Sequence, residues 1–148
     1  MIDIGNKVFD TVFNAVKAND AYPEADVTTG FDEVSAIFPC VVVEETNNQP
    51  YRRTNTDDCA ENYTQLTYEI SVYTDNMNSA KSVGKDILNI VDTAMQSLKF
   101  RRVHKNKPLN INRTLFRQYA RYEVIVGKPV VLNPNTQQEK TIYQMYRR

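Results

Sequence analysis

Hydrophobic positions recur along this chain with two different periods, and each change of period marks a new element. Ile4, Val8, Phe9, Val12, Phe13 and Val16 are spaced by three and four residues, which predicts an amphipathic helix over 4–18. Asp3 stands at its N-cap, where a carboxylate can accept the first orphan amide hydrogens. A connection containing Pro23 and Gly30 follows. The run from Ile37 to Val43 is short, apolar and rich in valine, which predicts a strand buried on both faces. Pro39 has no N–H and belongs near the start of that strand or on a sheet edge. The 17 residues 46–62 are almost wholly polar, too long for a hairpin turn, and read as an exposed functional loop.

Strict alternation then takes over. Leu66, Tyr68, Ile70 and Val72 face one way and Gln65, Thr67, Glu69 and Ser71 the other, so this strand has one wet face. Asn78 or Ser79 caps a helix over 79–98, with a stripe of Ala80, Val83, Ile87, Val91, Ala94 and Leu98 widened by Leu88, Ile90 and Met95. Lys81, Lys85, Asp86 and Asp92 are expected on its outer face. A cationic strand starts at Lys99 and runs to Lys105. The longest strand is expected over 115–126. There Phe116, Ala120, Tyr122, Val124 and Val126 oppose Arg117, Tyr119, Arg121 and Glu123; Gln118 breaks the apolar face and Gly127-Lys-Pro129 ends the strand. Asn133-Pro-Asn-Thr136 is a turn between two short apolar runs, which predicts a C-terminal hairpin.

A chain of 148 residues suits one domain around one core. Its composition, 41% hydrophobic and 24% charged, is that of a globular protein. No stretch approaches the roughly 18 apolar residues of a membrane span. The start of the chain lacks the basic flank and apolar run of a secretory signal. Cys40 and Cys59 form no disulfide framework and read as reduced thiols of a cytoplasmic protein.

The net charge of zero changes the picture once it is divided. Residues 1–62 carry 12 Asp/Glu against 4 Lys/Arg, and residues 63–148 carry 6 against 14. A chain with poles of −8 and +8 is suited to stacking head to tail with copies of itself. On this reading Glu44, Glu45, Asp57, Asp58 and Glu61 form the acidic side of a subunit contact, and Arg101, Arg102, Arg117 and Arg121 the basic side. The long loop, with Gln49, Tyr51, Arg52 and Arg53, is a docking segment for a neighbouring ring. In the C-terminal arm, Ile142, Tyr143, Met145 and Tyr146 are four apolar or aromatic residues in five positions and need something to lie on.

Catalytic motifs are weak by comparison. His104 is the single histidine, so one chain cannot supply a Ser–His or Cys–His pair or a multi-histidine metal site. Asp57, Asp58 and Glu61 lack the glycine and bidentate glutamate spacing of a calcium loop. Glycines at 5, 30, 84 and 127 make no phosphate cradle. No cofactor, metal site or catalytic residue is expected. The basic set around Arg117 is interleaved with tyrosines and reads as an inter-subunit surface, with nucleic-acid stacking or a solvated face as the other readings.

Several of these segments carry a resemblance. Leu66-Thr-Tyr-Glu-Ile-Ser-Val-Tyr-Thr74, then Asn-Ser-Ala-Lys-Ser opening a helix, Leu98-Lys-Phe-Arg-Arg102, and Phe116-Arg-Gln-Tyr-Ala-Arg-Tyr122 are similar in order and local sequence to tail terminator (tail completion) proteins of long-tailed bacteriophages. The first helix and the early Phe38-Pro39 strand also look similar. Lys99 departs from the pattern, standing where a glycine is common, and the hairpin after Pro129 looks like an addition. The resemblance implies an α+β domain over 1–127: a curved, mainly antiparallel sheet with the N-terminal helix and the long central helix packed on one face. A C-terminal hairpin arm over 128–148 completes it. It further implies a non-enzymatic virion protein, assembled in the host cytoplasm. Six copies would form a ring that closes the tail tube and meets the head connector or head completion protein, with DNA passing through unread and no membrane involved. Another neck or head–tail adaptor protein, or a small ligand-binding or enzymatic domain, are the alternatives.

Overall fold

The two periods become two helices laid on one mixed β-sheet, an α+β fold. The computed structural model describes residues 3–19, 22–30, 37–50, 63–75, 80–111, 115–133 and 138–143, with the backbone alone for 128–133 and 138–143. In order these form α1 (Gly5–Lys17), β1 (Asp26–Thr28), β2 (Cys40–Pro50), β3 (Tyr63–Thr74), α2 (Ala80–Ser97), β4 (Arg101–Lys105), β5 (Leu109–Asn110), β6 (Phe116–Asn133) and β7 (Gln138–Tyr143). The strands lie in the order β1-β2-β3-β6-β4, and β5 and β7 also pair with β6. β1 runs parallel to β2, and the other described pairs are antiparallel.

One core joins one face of the sheet to the helices. Val8, Val12 and Val16 bury the stripe of α1, and Ile87, Leu88, Val91 and Met95 that of α2. Leu66, Tyr68, Ile70 and Val72 of β3 and Ala120, Tyr122, Val124 and Val126 of β6 face them. Full burial of each such aliphatic side chain is worth about 1.5–3 kcal/mol, which holds the helices against the sheet. β2 is buried on both faces where it is apolar: Val41 and Val43 enter the core, while Cys40 and Val42 are buried outside it. Pro39 stands just before that strand, and its carbonyl accepts the Asp26 N–H at 2.9 Å.

Gln118 sits on the core face and is nevertheless buried, because its Nε2 donates to the Lys81 carbonyl at 2.9 Å and ties β6 to the first turn of α2. The other end of α2 closes with two reversed bonds, Lys99 N–H to Gln96 O at 2.9 Å and Phe100 N–H to Met95 O at 3.1 Å. Lys99 adopts φ 68°, the left-handed conformation that this C-cap requires and that glycine adopts most easily. Phe100 then packs into the same core as Met95.

Several expectations are corrected. α1 begins at Gly5, and Asp3 accepts the Gly5 N–H at 2.8 Å from the position before the N-cap residue Ile4, which makes no side-chain cap. Residues 46–50 are strand, not loop. A bulge between Glu45 and Asn47 absorbs Thr46, whose hydroxyl donates to Thr67 O at 3.2 Å, and the ladder with β3 continues to Pro50 opposite Thr64. Backbone pairing offered by β3 here outweighs the low strand propensity of Asn and Gln. β6 does not stop at Gly127. The register shifts between Gly127 and Val130, a break that takes in Pro129 with its missing N–H, and pairing with β7 resumes beyond it. Asp92, expected on the outer face of α2, accepts the Tyr122 hydroxyl at 2.9 Å and Arg102 Nη1 at 3.1 Å, and so ties α2 to β6 and β4.

Candidate interface: the polar face and edges of the sheet

The face turned away from the helices carries the odd-numbered residues of β3 and β6, as their alternation requires. The register sets Glu69 opposite Arg121, Ser71 opposite Tyr119 and Tyr73 opposite Arg117. Arg117 reaches diagonally back along β3. Its Nη2 donates to Glu69 Oε1 at 2.5 Å and to Ser71 Oγ at 3.1 Å. Arg121 Nε donates to the second Glu69 oxygen at 3.3 Å. One carboxylate thus holds two guanidiniums, and its side chain is only 12% exposed against 26% for Arg117. The Arg117 guanidinium also lies 4.5 Å from the Tyr119 ring centroid and 5.9 Å from that of Tyr73, within cation–π range. Arg121 lies 5.6 Å from the same Tyr119 ring. Charge, ring and hydroxyl hold one another in place, which makes this face a stiff surface rather than a set of free side chains.

Tyr119 is anchored from below. Its N–H donates to Asn106 Oδ1 at 2.6 Å, and its carbonyl accepts the Asn106 N–H at 3.1 Å. His104 approaches the Tyr119 ring at 5.8 Å, a surface contact that fits its position on an edge strand.

The four arginines expected to face a neighbouring subunit all have partners within the chain. Arg117 and Arg121 share Glu69, Arg101 pairs with Glu123, and Arg102 pairs with Asp92. They are not equivalent. Arg101 is 73% exposed, so its pair is weak and its charge remains accessible, whereas Arg117 is committed to the sheet face. All five residues of β4 are exposed, giving this edge the charges of Arg101, Arg102 and Lys105. Charged side chains of this kind keep an edge strand from pairing indiscriminately.

Acidic groups gather toward the other edge. Glu44 and Glu45 are exposed on β2. β1 pairs only with Cys40, Val41 and Val42, so beyond them β2 has no second neighbour among the described strands. Glu45 accepts Asn48 Nδ2 at 3.0 Å. Gln49 also lies on this strand, and its carbonyl accepts the Thr64 hydroxyl at 2.8 Å. Tyr51, Arg52, Arg53, Asp57, Asp58, Glu61, Met145 and Tyr146 lie outside the described residues, and Ile142 and Tyr143 are described as β7 backbone.

Glu69, Ser71 and Tyr73 were missed as partners of the basic set. Alternation already put Glu69 and Ser71 on the wet face, as it did Arg117, Tyr119 and Arg121; Tyr73, two residues further on, was not assigned, and the register was lacking. Among the described residues no cluster of His, Cys, Asp and Glu could hold a metal ion. No protein-family model matches the chain, and no curated protein matches it either.

Proposed function

We propose that this chain is a structural subunit that assembles head to tail into a closed ring, acting as a tail terminator that caps the tail tube of a bacteriophage and receives the head connector. The observation that carries this reading is the placing of charge on the sheet. Exposed Glu44 and Glu45 lie on β2 toward one edge, and exposed Arg101, Arg102 and Lys105 form β4 at the opposite edge. Ring closure needs two different patches that meet around a circle, and opposite edges of unlike charge supply them. Two acidic or two basic edges repel, which disfavours a symmetric dimer through either one. The local similarity to tail terminators over 1–127 adds the biological setting.

The C-terminal arm fits the same reading. β3 pairs with β6 as far as Tyr63 opposite Gly127, and from Val130 to Asn133 the described partner of β6 is β7 alone. A two-stranded ribbon is marginally stable in water, and resting on the next subunit would hold it.

The test is the mass of the purified protein in solution at low and at high salt, for the full chain and for a chain stopped after Pro129. A ring at low salt that loosens at high salt, together with a folded truncated chain that assembles poorly, is the expected result. A full-length monomer at every salt concentration rejects the ring. A truncated chain that assembles normally rejects the arm as a clamp.

A further inference from the structure

A cleft of about 660 Å³ opens between the first turn of α1 and the outer half of β2, lined by Asp3, Gly5, Phe9, Glu44, Glu45 and Tyr68 among others. Tyr68 is 2% exposed, belongs to the core, and packs edge-on against Phe100 at 5.6 Å. Tyr68 lines the cleft, and its buried hydroxyl, close behind Gly5 on the cleft wall, has no hydrogen-bond partner, one of two such side-chain atoms among the described residues. A buried hydroxyl left without a partner costs stability, and phenylalanine would fill the same space without that cost. The hydroxyl therefore points to a group that arrives from outside.

The lining says which chemistry that group has. Asp3, Glu44 and Glu45 bring three carboxylates to the cleft, and no lysine or arginine is among its described lining residues. Asp3 spends one oxygen on the Gly5 N–H, Glu45 accepts from Asn48, and the Glu44 carboxylate has no ion-pair or hydrogen-bond partner among the described residues. Each ionised carboxylate has room for further N–H donors. An anion is repelled, and the positive end of α1 is already met by Asp3. The phenolic oxygen can accept an N–H, and the ring of Phe9 offers a face to a cation. Gly5 keeps the approach open: a Cβ there would lie 3.6 Å from the Tyr68 oxygen and 3.1 Å from Asp3 Oδ1.

We infer that this cleft binds a guanidinium or alkylammonium group, with the Tyr68 hydroxyl as an acceptor at its floor and Asp3, Glu44 and Glu45 supplying the charge. The group is either an arginine or lysine side chain of a second copy or a free organic cation; the recognition is the same for both. The site stands independently of ring formation.

Nuclear magnetic resonance of the full chain tests it, following the Gly5 amide and the Tyr68 ring during titration with ethylguanidinium chloride against sodium chloride at equal ionic strength. Saturable shifts with ethylguanidinium alone are expected, with affinity weakened roughly fivefold or more by Tyr68→Phe and by Glu44→Gln combined with Glu45→Gln. Tyr68→Phe removes only an unpartnered buried hydroxyl, so the free protein should keep or raise its thermal midpoint. Shifts that sodium chloride reproduces, or equal affinity in Tyr68→Phe, overturn the site. Dilution without any probe separates the sources. Shifts that depend on protein concentration and are displaced by ethylguanidinium assign the group to a second copy, and shifts independent of concentration assign it to a free cation.

Discussion

Gln118 occupies the space that a side chain on Gly84 would fill: its Nε2 lies 2.6 Å from where a Gly84 Cβ would stand. The amide can swing away, but only by giving up its bond to the Lys81 carbonyl inside the protein. Alanine in a helix interior ordinarily gains about 1 kcal/mol over glycine. Leaving a buried amide unpaired costs about 1–3 kcal/mol. Gly84→Ala is therefore expected to destabilise by about 1 kcal/mol in the native background. In a Gln118→Ala background the same change should stabilise by about 1 kcal/mol. A double-mutant cycle read by urea unfolding checks the change of sign.

Lys99 carries the opposite lesson. Its φ of 68° strains any side chain, and the two bonds that close α2 hold it there. Lys99→Gly is expected to stabilise by about 1 kcal/mol, measured as a higher urea midpoint at unchanged slope. A lower midpoint would mean that the lysine side chain contributes more than its backbone strain removes.

Alkali should unfold this protein early. Burial, helped by the Asp26 carboxylate, pushes the Cys40 thiol from its ordinary 9.0 up to about 11. Tyr68 and Tyr122 are also pushed up, first by burial and then by Glu45 and Asp3 in one case and by the hydrogen bond to Asp92 in the other. All three are held neutral in the folded chain and ionise more readily when it unfolds. The Cys40 contribution is complete below pH 9.0 and is lost as the pH rises through about 11, while those of the two tyrosines are complete below their ordinary 10.0 and are lost at still higher pH. Titration followed by tyrosinate absorbance and circular dichroism together should show part of the tyrosinate signal arriving only with unfolding.

Charge reversal separates the two kinds of arginine. Arg117→Glu sets a second carboxylate beside Glu69 and strands Ser71, and should cost about 2 kcal/mol or more in stability. Arg101→Glu with Lys105→Glu changes the exposed β4 edge and breaks only the solvent-exposed pair with Glu123, and should lower the thermal midpoint by no more than about 4 °C. If opposite edges meet in an assembly, the Arg101 and Lys105 reversal lowers the oligomer mass while the fold persists. An unchanged mass would remove β4 from the interface.

Much of this architecture is legible in the amino-acid order. The spacing of Val8, Val12 and Val16 alone determines which face of α1 is buried, and the alternation through β3 and β6 determines which residues meet the helices. These are local properties: helix and strand each return a side chain to the same face after a fixed number of residues. Register is different. Sliding β6 by two residues along β3 keeps every side chain on its face, so alternation cannot say that Glu69 stands opposite Arg121 and within reach of Arg117. Nor can it extend β2 through Asn47, Asn48 and Gln49, whose strand conformation depends on the ladder that β3 offers. Asp92 was misplaced for the same reason, since its partners Arg102 and Tyr122 lie on other elements. The sequence alone determined the faces; which residues meet across them depends on contacts between distant segments, and only the tertiary structure decided those.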